Sequence, residues 1–301
     1  MCGIVGLFLK DDALKPQLGE MLSAMLITMT DRGPDSAGIA IYGDETAGQT
    51  KITVQSGTPD SDFPALEKHI QDQTHLAKDK LSFTMRDTHA VIVAAETDKD
   101  HILTLIINNH PNIRVMSQGQ SIEIYKEVGL PKNVVERFAL TQATGSHGIG
   151  HTRMATESAV TTLGAHPFST GSDQCLVHNG SLSNHNMMRR KLRAEGVNIQ
   201  TENDSEVAAA YLSARMSEGE TLGEALTSGL NDLDGFFTFV VGTKTGFGVL
   251  RDPIACKPAV MAETDAYVAF GSEYRALVNL PDIDTARVWE PEPAEVYFWS
   301  H

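Results

Sequence analysis

Apolar residues occur along this chain mostly in short runs bounded by glycine, asparagine and aspartate, with amphipathic stretches between them. Residues 3–9 predict a strand. Residues 16–30 predict a helix, with Leu18, Met21, Leu22, Met25, Leu26 and Met29 at helical spacing. Met-rich faces of this kind suit an irregular core. Asp31-Arg32-Gly33-Pro34-Asp35-Ser36 reads as a turn, and a strand over 37–42 follows. Residues 44–145 are the least regular. They predict a helix near 63–78, strands at 90–95 and 102–107, an alternating pair around 113–116 and 122–125, and a helix after Pro131. Beyond Gly148 the pattern tightens. Strands at 150–155 and 175–178 end in polar residues. Helices follow at 183–195, 205–216 and 222–233, and Arg189, Arg190, Lys191 and Arg193 read as a solvated face. The closely spaced runs 236–241, 246–251, 258–263 and 266–271 predict a β-meander. Strands first, helices in the middle and strands last imply α+β packing, with sheets covered by helices.

Composition narrows the function classes. With 41% apolar and 21% charged residues the chain reads as a soluble globular protein, not a disordered one. Lys and Arg total 24 against 39 for Asp and Glu, a net charge of −15. That argues against nucleic acid as a partner, because a phosphate backbone is met by clustered cations. No run approaches the roughly 18–20 apolar residues of a membrane span, and the start lacks a secretory pattern, so a cytoplasmic location is expected. Cys2, Cys175 and Cys256 are too widely spaced for a disulfide framework or a zinc site. Cys175 and Cys256 read as core thiols. His147 and His151 are four apart, but no third ligand accompanies them, so no metal is expected.

Cys2 is different, because it directly follows Met1. Removal of Met1 would leave one residue bearing a thiol and a free α-amine. The ordinary pKa of the amine, about 7.7–8, lets it accept the thiol proton near neutral pH without a separate histidine. The neighbouring motifs agree with this. Cys2-Gly3-Ile4-Val5-Gly6 is followed by Arg32-Gly33-Pro34-Asp35-Ser36-Ala37-Gly38, and then by Gly150-His151-Thr152-Arg153-Met154-Ala155-Thr156. His178-Asn179-Gly180 and Asn203-Asp204-Ser205-Glu206 come next, with Leu233-Asp234-Gly235-Phe236, Arg251-Asp252-Pro253 and Gly271-Ser272-Glu273 toward the end.

In this order the set resembles the class II, N-terminal-nucleophile glutamine amidotransferases, and the resemblance covers residues 2 to about 297. It implies a four-layer αββα sandwich of two mainly antiparallel sheets. It also implies one domain over residues 1–301, enlarged by an insertion at about 44–145. The activity it implies is hydrolysis of the glutamine side-chain amide through a γ-glutamyl thioester on Cys2. Asn179 and the Gly180 N–H match the family's oxyanion hole. Arg153, with Thr156 beside it, matches the site for the substrate carboxylate, and Asp204 matches the site for its ammonium. Arg32 matches an arginine that orders the surroundings of the nucleophile. Taken alone, Asn179-Gly180 would suit a hairpin turn and Asp204 a helix cap.

The chain departs from commoner members at Met154 and Glu157, where relatives carry Trp and His. It looks most like stand-alone amidotransferase subunits of glutamate-synthase-like complexes, including N-methylglutamate synthase. That likeness implies no cofactor in this chain, a flavin in a partner synthase subunit that takes the ammonia, and docking through the long middle region. Two other readings use the same residues. One is a hydrolase of another γ-glutamyl amide. The other is a glutamine-sensing regulatory subunit, which would have no need of an oxyanion hole.

Overall fold

The computed structural model describes residues 2–74, 81–155 and 159–301. Strand β1 (Gly3–Leu9) is followed by helix α1 (Leu18–Thr28) and β2 (Ser36–Tyr42). Next come β3 (Gln49–Ser56), α2 (Pro59–Thr74), β4 (Ser82–Arg86), β5 (His89–Ala95), α3 (Lys99–Asn109) and β6 (Ile113–Gly119). The chain continues through β7 (Ile122–Val128), α4 (Pro131–Arg137), β8 (His147–Arg153), β9 (Phe168–Gly171) and β10 (Gln174–Leu182). Helices α5 (His185–Ala194), α6 (Asp204–Ser217) and α7 (Leu222–Asp232) are consecutive. The strands β11 (Gly235–Gly242), β12 (Gly246–Arg251), β13 (Val260–Glu263), β14 (Tyr267–Gly271), β15 (Arg287–Trp289) and β16 (Val296–Ser300) close the fold.

The strands form three sheets. The first has the order β15-β13-β14-β1-β8-β2-β7, the second β16-β12-β11-β10-β9, and the third β4-β5-β3-β6. Alternation along β1 explains the layering. Ile4 and Phe8 face a core shared with Val177, Val240 and Phe247 of the second sheet. Val5, Leu7 and Leu9 face the opposite way, into a core with Leu22, Met25 and Leu26 of α1. The outer face of the second sheet buries Leu176, Phe237 and Phe239 against α5–α7. The result is an α+β sandwich of helix, sheet, sheet and helix layers. Strands buried on both faces read as continuous apolar runs, and this is why β1 shows no polar alternation.

The irregular middle of the sequence splits between two sheets. Residues 49–119 build the third sheet, whose own core joins Ile52, Val54 and Ile92 to Phe63 of α2 and Ile102 of α3. Strand β7 instead pairs with β2 at the edge of the first sheet. The strand expected over 102–107 is part of helix α3. Ile102, Leu105 and Ile106 are buried at spacings of three and four, a helical stripe that a short apolar run cannot distinguish from a strand. The far end of the helix expected at 63–78 lies outside the described residues. Cys175 is buried as expected, and burial pushes its thiol up to about 12. Cys256 is exposed rather than a core thiol. Arg189 is not solvated: it is 3% exposed and paired with Glu202 at 3.2 Å. Among the described residues no helix is long and apolar enough to cross a membrane.

Candidate active site

Cys2 precedes β1 and is half-buried. Two side chains distant in sequence converge on its main chain. Arg32 Nε donates to the Cys2 carbonyl oxygen at 2.9 Å, and Asn179 Nδ2 donates to the same oxygen at 3.2 Å. Arg32 comes from the turn after α1. There Gly33 passes so close to β8 that a Cβ would lie 2.4 Å from the Thr152 carbonyl carbon. The Arg32 guanidinium is also held by Glu273 Oε1 at 2.7 Å, and this bond, with Arg275 nearby, keeps the Glu273 carboxyl below its ordinary pKa. Ser272 fixes the other side of β1, with Ile4 N–H donating to its Oγ and its own N–H donating to the Ile4 carbonyl, both at 2.9 Å. Residue types alone give the Gly271-Ser272-Glu273 motif no role. Its position beside Cys2 depends on β14 pairing with β1.

Asn179 and Gly180 lie within β10, paired with Thr238 and Phe237 of β11, and are not a hairpin turn. Gly180 has φ of +150°, and a Cβ there would meet the Phe236 carbonyl oxygen at 2.0 Å. Only glycine fits that combination. Arg153 closes β8, is 7% exposed and donates to the Ala159 carbonyl at 3.3 Å. Asp204 is the first residue of α6. Asn203, not Asp204, is the cap, accepting from Ser205 N–H. Asp204 Oδ2 accepts from Leu182 N–H at 2.9 Å, which ties α6 to the end of β10 just beyond Gly180. Thr156 and Glu157 lie outside the described residues.

Behind these residues is a polar cluster that the sequence showed only as histidines inside motifs. His151 Nε2 donates to the His178 carbonyl at 3.0 Å, and its ring stacks on His166 at 4.0 Å. Ser205 Oγ is 2.8 Å from His166 Nε2 and 2.9 Å from His178 Nδ1. The loop carrying His166 is pinned by buried Lys126, which donates to the Ala165 and Pro167 carbonyls at 2.7 and 3.0 Å. This cluster joins the strand of Arg153, the strand of Asn179 and the helix of Asp204. His147 bonds the Thr243 carbonyl at 2.8 Å instead.

Burial pushes His147 and His151 down to about 3, puts His166 well below its ordinary value, and lowers His178 against the opposing charge of Asp204. All are therefore neutral at pH 7. A histidine with a lowered folded pKa contributes its full stability above the unfolded value of about 6.5. That contribution is lost as pH falls toward the folded value, because only the unfolded chain takes up the proton. The expected slope is about 1.4 kcal/mol per pH unit for each such histidine. Thermal melts should show a clearly lower Tm at pH 5 than at pH 7, and equal melting temperatures would contradict neutral burial.

Comparison with known proteins gives one consistent result. A family model described as a glutamine amidotransferase domain matches residues 151–279. Over 301 residues the chain is 66% identical to the glutamine amidotransferase-like protein GlxB of Rhizobium meliloti (strain 1021), covering 100% of this chain and 99% of that protein. It is 30% identical over 183 residues to the amidophosphoribosyltransferase of Methanocaldococcus jannaschii, covering 60% of this chain and 38% of that one. In fold it resembles the glutamine phosphoribosylpyrophosphate amidotransferase from B. subtilis, with a TM-score of 0.62 at 20% identity, covering 99% of this chain and 47% of that one. The chain thus spans less than half the length of these last two.

Proposed function

Because the chain belongs to the class II glutamine amidotransferases, enzymes that hydrolyse glutamine with a cysteine nucleophile, we propose that Cys2 is that nucleophile and that the residues gathered around it complete the site. With Met1 removed, the α-amine of Cys2 takes the thiol proton, and the sulfur attacks the side-chain amide carbon of glutamine. The oxyanion that forms is met by the Asn179 side-chain amide and the Gly180 N–H. The Arg153 guanidinium takes the substrate carboxylate, a planar bidentate match. Asp204 takes the substrate ammonium. As the tetrahedral intermediate collapses, the C–N bond breaks and the amide nitrogen leaves as ammonia, carrying the proton held by the amine. A γ-glutamyl thioester remains on Cys2, and water cleaves it to glutamate and the free thiol. Arg32, anchored by Glu273, orders the backbone of Cys2.

The observation that carries this reading is the meeting of Asn179 with the Cys2 main chain, 177 residues apart in sequence. Thr156, beside Arg153, is assigned to the same substrate-binding edge on the family pattern. A direct test compares glutamine hydrolysis by the wild type with that of Asp204→Asn and Arg153→Ala. Removing one charge-assisted contact should raise KM about tenfold or more while kcat changes less. An unchanged KM in both variants would refute the pocket assignment.

We further propose that the ammonia passes, in the cytoplasm, to a flavin-containing synthase subunit of the glutamate-synthase or N-methylglutamate-synthase kind, with this chain itself holding no cofactor. Exposed apolar side chains flank the site in support. Met154 follows Arg153, Phe236 pairs across from Ser181, Ile254 is held by Asp252, and Tyr274 follows Glu273. We propose that these residues take part in docking beside the long middle region. Co-purification of such a synthase, lost in Ile254→Asp, would support it, and co-purification undisturbed by that substitution would exclude this surface.

A further inference from the structure

A cavity of about 350 Å³ lies apart from Cys2 and shares no residue with the side chains gathered around it. It opens where two sheet edges face each other. Strand β6 ends the third sheet and β9 ends the second. An isolated parallel bridge joins Gln118 of β6 to Ser172, the residue after β9, and the cavity lies along these two strands. One wall is apolar, formed by Ile106 and Ile107 of α3 with Val115 of β6. The other is polar, with Thr170 of β9 and Gln200 of the connection into α6. A volume of this size suits a small molecule, and junctions between structural units are common places for such sites.

Two features indicate what it would hold. Ser117 lines the cavity, is 2% exposed and leaves its hydroxyl without a partner. A buried polar group in that condition is unfavourable until a partner is supplied. Arg114, also in the lining, donates to the Pro111 carbonyl at 2.6 Å, and among the described residues no carboxylate pairs with its guanidinium. Such a cation at the cavity is a point of attachment for an anion, whose oxygens it can meet with charge-assisted hydrogen bonds. The acidic residue in the lining, Glu206, already accepts from Gln200 N–H, Thr201 N–H and Thr201 Oγ, so its charge is balanced by donors.

We propose that this cavity is an effector site for a small amphipathic anion. Its acidic group would lie at Arg114, its apolar body along α3 and β6, and a hydrogen-bonding group at Ser117. Coupling to the active site follows from the polar wall. Gln200 and Glu206 fasten the loop that leads into Asp204, and Thr170 bonds Ser213 farther along the same helix at 2.9 Å. Strand β9 also follows the loop of His166, which is 2.8 Å from Ser205. A ligand bridging the two walls therefore shifts the start of α6 and with it the affinity for glutamine, an effect that rests on Asp204 holding the substrate ammonium.

The test uses the intact protein and 1-anilinonaphthalene-8-sulfonate as probe, an apolar body with one acidic group. Fluorescence titration should give saturable binding to one site, weakened about tenfold in Arg114→Gln. Binding should be lost in Thr170→Trp, which fills the cavity. It should also be lost in Ile107→Asp, which puts a repelling carboxylate at a position already 64% exposed and so spares the fold. Saturating probe should change the glutamine KM at least twofold in the wild type and not in Ile107→Asp. Equal binding by the wild type and all three variants would overturn the site. Binding as expected with an unchanged KM would overturn its effector role. Failure of the Asp204 assignment is recognised separately, by an unchanged KM in Asp204→Asn while probe binding persists.

Discussion

Cys2→Ala should reduce glutamine hydrolysis by about four orders of magnitude or more, with the fold intact. The alanine keeps the backbone, so the bonds from Arg32 and Asn179 to the residue-2 carbonyl oxygen remain available. Only the sulfur is removed, and with it the covalent intermediate that divides one difficult hydrolysis into two easier steps. The remaining donors could still polarise a bound amide, but bulk water is a poor nucleophile. Glutamate release should be measured beside a thermal melt of each protein. Retention of more than about one-hundredth of the wild-type rate at equal Tm would sink the cysteine mechanism. Mass spectrometry of the active protein should show Met1 missing, because an acylated or extended N-terminus has no α-amine to act as base.

The second large effect separates chemistry from folding at adjacent residues of β10. Asn179→Ala removes a side-chain donor and should lower kcat about 10²–10³-fold, or roughly 3–4 kcal/mol, with little change in KM, because the oxyanion exists only after attack. Gly180→Ala should instead fail through the backbone. The new Cβ would meet the Phe236 carbonyl oxygen at 2.0 Å and His178 Nε2 at 2.9 Å, at a φ of +150° that alanine rarely adopts. A stability loss of about 3 kcal/mol or more is expected, seen as a lower urea midpoint. An Asn179→Ala protein that unfolds as early as Gly180→Ala would show that Asn179 is structural. Wild-type kcat in Asn179→Ala would remove it from the oxyanion hole.

The site was legible in the sequence to the extent that its chemistry sits in short motifs. Cys2 after Met1, Arg153 at a strand end and Asn179-Gly180 each name a residue type suited to one part of the substrate. The local readings that competed with them were decided by pairing. Asn179-Gly180 has the composition of a hairpin turn, yet β10 continues through it because β11 supplies partners on one side. Asp204 has the composition of a cap, but Asn203 takes that place and leaves Asp204 bonded to Leu182 N–H. Residues 102–107 have the composition of a strand and form part of a helix, because the third sheet offers a surface that a helical stripe can cover.

By itself the sequence determined the α+β class and the candidate reacting groups, since both follow from residue identity and local period. Only the tertiary structure decided that Arg32, held by Glu273, and Asn179 meet at residue 2, that four neutral histidines lie buried in the sandwich, and that two sheet edges line a cavity away from Cys2. These are contacts between segments tens to hundreds of residues apart. Their geometry is set by strand register and layer packing, which no local pattern of apolar and polar positions encodes.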